Sequence, residues 1–84
     1  MPYITQERRA QLDSDIVNLV FVMEKDHGVC NYVITRLLDL VLQPRNYADI
    51  NGVIGVLECA KLEFYRRAAA PYEDQKIKEN GDVY

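Results

Sequence analysis

The sequence predicts an all-α protein: a three-helix antiparallel bundle with a Pro-kinked C-terminal helical extension, forming one domain over residues 1–84. Three observations predict it. Apolar residues recur at helical spacing in three separate stretches, those stretches are bounded by caps and breakers, and no stretch alternates with the period of a strand. Eighty-four residues allow a single thin core, and 49% apolar composition is ample for a globular fold.

The first helix is predicted over residues 5–26. Thr5 is its N-cap and Glu7 stands in the first turn, where negative charge favours the helix dipole. Leu12, Ile16, Leu19, Val20 and Met23 fall on one face, and Val17, Phe21 and Val22 widen it. Gly28 is read as the stop signal, since glycine takes the left-handed C′ conformation freely. The second helix is predicted from Asn31, as cap, to Gln43. It carries Cys30, Val33, Ile34, Leu37, Leu38 and Val41 on one stripe and ends before Pro44.

Asn46-Tyr-Ala-Asp49 resembles a capping box opening the third helix. Ile50, Val53, Ile54, Leu57, Lys61, Phe64 and Ala68 mark one side of it. Gly52, Gly55 and Cys59 form a strip of small residues, which suggests close approach of another helix backbone. Pro71 in a continuous helix would lack the N–H that bonds the Arg67 carbonyl. It is placed at the start of a new segment with Glu73 and Asp74 in the opening turn, stopped by Asn80-Gly81. The three main helices come to about 33, 20 and 37 Å, so the short middle one cannot cover the long ones. The leftover apolar surface predicts a homo-oligomer, a dimer first, with Phe21, Gly52, Gly55 and Cys59 as candidate interface residues.

Ten basic and 13 acidic side chains give a net charge of −3, which excludes a generally cationic nucleic-acid surface. No run approaches the length of a membrane span and no leader pattern opens the chain, so a cytoplasmic location is expected. Cys30 and Cys59 read as reduced core residues. His27, the one histidine, reads as a helix-end residue favouring the C-terminal dipole. With two cysteines it offers no zinc spacing, and no cofactor or metal is assigned. Glu58 with Glu63 and Asp13 with Asp15 do not share helix faces, which leaves a metal-dependent nucleotide hydrolase as the third functional reading.

Polar residues among the apolar stripes carry the remaining candidates. Arg36 and Glu58 are a candidate structural pair between helices. Glu58–Lys61 and Glu63–Arg67 have the spacing of surface pairs along one helix. Arg36, Lys61, Tyr65, Arg66, Arg67 and Tyr72 are candidate ligand residues, because guanidinium forks take phosphate and tyrosine stacks on a base. They support a second reading, a protein that binds or sequesters a small anionic ligand such as a nucleotide. The leading expectation is a small non-enzymatic binding or scaffold protein.

Asn31-Tyr-Val-Ile-Thr-Arg-Leu37, Val53-Ile-Gly-Val-Leu-Glu-Cys59, Lys61-Leu-Glu-Phe-Tyr-Arg-Arg67 and the tail from Pro71-Tyr-Glu-Asp to Asn80-Gly-Asp-Val-Tyr84 are similar to a family of small proteins of unknown activity. With Met1-Pro-Tyr-Ile4 and Ile50-Asn51 the resemblance covers most of the chain. That family is associated with phages and with bacterial and archaeal genomes. The resemblance implies a phage-linked origin, with the host cytoplasm as the site of action, and an ordered tail over residues 71–84 that docks on a neighbouring subunit. Gly52 stands where the family pattern implies glutamate, which weakens the close-packing reading there.

Overall fold

The computed structural model describes residues 4–84, and Met1-Pro-Tyr3 of the motif above lies outside them. All regular structure among the described residues is helical: α1 Gln6–Met23, α2 His27–Val41, α3 Tyr47–Phe64, a π-helical turn Tyr65–Ala69, and α4 Ala70–Asn80. The chain divides into two compact units, Met1–Pro44 and Arg45–Tyr84.

In the first unit the Thr5 hydroxyl caps α1, accepting from the Arg8 amide at 3.1 Å, as predicted. The junction between α1 and α2 corrects the sequence reading. α1 ends at Met23, and Glu24, not Gly28, adopts the left-handed conformation, with φ 58°. Asp26 then opens α2, its carboxylate accepting from the Val29 amide at 3.1 Å. An acid at the N-cap both satisfies a free amide and faces the positive end of the dipole, so the helix starts five residues before Asn31. Gly28 is therefore inside the first turn of α2, and Asn31 is an interior residue whose side chain accepts from the Thr35 hydroxyl at 3.2 Å. His27 stands at the N-terminus of α2 and cannot serve a C-terminal dipole.

In the second unit Asn46 caps α3, its side-chain oxygen accepting from the Asp49 amide at 2.9 Å. Residues 47–80 are helical without a break, about 51 Å at α-helical rise. The Ala70 amide donates to the Tyr65 carbonyl, five residues back, in the π turn that immediately precedes Pro71. A register slip is well placed there, because proline has no N–H to give and its ring needs room beside the preceding turn. α4 ends at Asn80, and Gly81 takes φ 87°, as the Asn-Gly signal predicts.

None of the described residues is buried. Phe21 is 87% exposed and Phe64 72%. Contrary to expectation, neither cysteine is a core residue of the chain, for Cys30 is half-buried and Cys59 exposed. On α3, Ile50, Val53, Leu57 and Phe64 lie about opposite to Gly55 and Leu62, so the helix presents two faces with little charge. The second unit contains no other long element to cover either.

Asn46→Ala should cost about 1 kcal/mol by removing the α3 cap. The measurement is the urea midpoint followed by far-ultraviolet circular dichroism, and an unchanged midpoint would count against the cap.

Candidate functional site

The polar candidates of the second unit cluster at the end of α3 and across the π turn. Glu63 and the two arginines that follow it occupy positions i, i+3 and i+4, which are neighbours on a helix surface. Arg66 reaches both Glu63 oxygens at 3.0 Å, and Arg67 Nε donates to Glu63 Oε1 at 3.0 Å. A hydrogen bond from Arg66 foremost, with one from Arg67 among the lesser causes, holds the Glu63 carboxyl well below its ordinary value of 4.5.

The Tyr65 hydroxyl donates to both oxygens of Glu73 at 3.2 Å. That hydrogen bond, together with the charge of Glu73, raises the Tyr65 phenol above its ordinary value. Tyr72 has the ammonium of Lys76 over its ring, 5.5 Å from the centroid. Lys61 pairs with Glu58 at 3.0 Å.

Five of the six candidate ligand residues thus belong to one helical run, and four of them, Tyr65, Arg66, Arg67 and Tyr72, lie at or beside the π turn. Each of the five already has a partner within that run. Arg36 belongs to the first unit and forms its ion pair with Asp39 at 3.3 Å, at i, i+3 on α2. All these pairs are on exposed helix surface, where an ion pair contributes roughly 0–1 kcal/mol. Of the interface candidates, Phe21 and Cys59 are exposed, and a Cβ added at Gly52 or Gly55 would meet nothing within 4 Å.

The Tyr65–Glu73 contact is the feature that sequence reasoning missed. Residues eight apart are not neighbours on an α-helix, and Pro71 was the one signal that the helix departs from regular geometry there. Glu63–Arg67 was legible from its i, i+4 spacing. The second donor from Arg66 makes that acid a shared clamp on both guanidinium groups. A shallow groove beside the tail, lined by Ile77, Asn80 and residues 81–84 with Glu73 and Lys76, adds little enclosure, since Val83 and Tyr84 are fully exposed. Among the described residues no three His, Cys, Asp or Glu side chains gather as metal ligands, and no helix is long and apolar enough to cross a membrane.

A family described as "Domain of unknown function (DUF6899)" matches residues 1–83. The chain belongs to this family. No curated protein and no solved structure matches the chain. An uncharacterised domain family thus fits the chain, and membership assigns no activity to the clustered residues.

Two outcomes follow from the shared carboxylate. Because the pKa of Glu63 is lowered in the folded state, its contribution is fully present above the unfolded value of 4.5 and is lost as pH falls from there through the lowered value. Acid titration of helicity should therefore show a component below about pH 5 that Glu63→Gln removes. The same variant frees both arginines, so pyrophosphate should raise its melting temperature more than that of the wild type. Equal responses would show that Glu63 does not mask them.

Proposed function

We propose that this protein is a small non-enzymatic binding or scaffold subunit that works as a homo-oligomer, a second copy completing the core that one chain leaves open. The observation that carries this reading is the second unit. It is a helical run of 34 residues, Tyr47 to Asn80, with apolar side chains on opposite faces of α3 and no other long helix within the unit to cover them. A helix apolar around much of its girth requires neighbours on more than one side. Uncharged stretches of two turns, residues 16–23 in α1 and 50–57 in α3, make the same demand in both units.

In this reading the long helices run antiparallel in a bundle shared between copies, and the chain bends at Pro71 into its C-terminal extension. The open space above Gly52 and Gly55 then accommodates a partner backbone, and the exposed Phe21 and Cys59 are further candidate contact residues, each in its own unit. The charged residues keep the assembly in solution, and their short-range pairing leaves them little part in ligand chemistry. A phage-linked origin and action in a host cytoplasm belong to the same proposal and rest on the resemblance of the tail and α3 motifs.

Sedimentation equilibrium at micromolar concentration should give a dimer or a larger closed oligomer, and a monomer that unfolds cooperatively would overturn the reading. Gly55→Ala provides a test by sign. In a lone helix the added methyl stabilises by about 1 kcal/mol. At a close helix contact the same methyl weakens the assembly, so the oligomer should dissociate at higher concentration than the wild type.

A further inference from the structure

We infer that the hydrogen bond from Tyr65 to Glu73 is a latch that holds the π turn, and that the π turn is a phase-setting device for α4. An α-helix advances about 100° per residue, so residues eight apart stand about 80° apart around the axis. A π turn advances roughly 80° per residue, and five such residues remove about 100° of rotation. Tyr65 and Glu73 are thereby returned to one face and brought closer along the axis, which is why the hydroxyl meets both carboxylate oxygens at 3.2 Å.

Phe64 and Tyr72 immediately precede those two residues and share their relative phase. On the apolar side of α3, which runs from Ile50 through Leu57 to Phe64, the slip therefore sets Tyr72 in line with Phe64. Without the slip Tyr72 would stand about 80° from Phe64, at the edge of that side held by Ile54. Lys76, one turn beyond, covers the ring of Tyr72 and marks where the apolar side ends. Pro71 fixes where a slip can occur, because no amide is available there to close the α register. It does not fix which register the preceding turn adopts. The latch makes that choice, since only the π register brings the phenol to the carboxylate.

The test is the hydrogen-bond acceptor of the Ala70 amide, read by nuclear magnetic resonance as scalar coupling across the hydrogen bond in the full chain. In the wild type the coupling runs to the Tyr65 carbonyl. In Tyr65→Phe it should be lost and replaced by coupling to the Arg66 carbonyl, the α-helical acceptor. Glu73→Ala, which removes the acceptor and leaves the tyrosine, should shift it in the same way, and Glu73→Gln, which retains an acceptor, should keep the wild-type coupling. Coupling to Tyr65 that persists in both Tyr65→Phe and Glu73→Ala would overturn the latch. Coupling to Arg66 in the wild type would overturn the phase argument as a whole.

Discussion

The structure depends on a mismatch between two requirements of a helix. Backbone hydrogen bonds are met locally, and here the caps Thr5, Asp26 and Asn46 supply acceptors to the free amides at the start of each long helix. Apolar surface cannot be met locally, because a helix has no inside large enough for a side chain. Helices of 15–18 residues are marginal in water when their faces stay wet. Their stability comes from packing, and none of the described residues is buried. In the proposed assembly, folding and association are consequently one equilibrium, and stability is a function of protein concentration.

The charged residues are distributed in keeping with that division. Arg36–Asp39, Glu58–Lys61, Glu63 with Arg66 and Arg67, and Lys76–Glu79 all run along single helices at i, i+3 or i, i+4. Such pairs add a few tenths of a kcal/mol each and are screened by salt. They do not replace a core. They do confine charge to limited parts of each helix, leaving residues 16–23 and 50–57 uncharged around the full girth. A short chain that confines its charges in this way keeps solubility while reserving long apolar stretches for contact.

Periodicity made the helices legible, and local chemistry made most of their ends legible. Thr5, Asn46 and Asn80-Gly81 all act as their residue types require. The turn between α1 and α2 was not legible, because Asp26 and Gly28 send opposing signals two residues apart. The glycine can end a helix and the aspartate can begin one. The aspartate prevails, and the left-handed conformation falls on Glu24, a residue that no propensity would select. The end of α3 was legible only in part. The pair of Glu63 with Arg67 follows from i, i+4 spacing, whereas Tyr65 with Glu73 exists only after a register slip that spacing rules do not contain.

That slip also changes how the basic cluster is to be understood. Tyr65-Arg66-Arg67 beside Tyr72 has the residue types of an anion site, and an exposed pair of guanidinium groups attracts phosphate. Here one carboxylate engages both guanidinium groups, and the phenol of Tyr65, just before them in sequence, is committed to a second carboxylate. An incoming anion would have to displace Glu63 from two donors at once, against the same charge assistance that lowers its pKa. The same contacts bear directly on the backbone around them. Glu63 ties together the residues that enter the π turn, and Glu73 ties the turn to the first turn of α4 across Pro71. Side chains that would form a recognition surface on a regular helix thus secure an irregular one, and the helical run passes the proline with Tyr72 in line with Phe64.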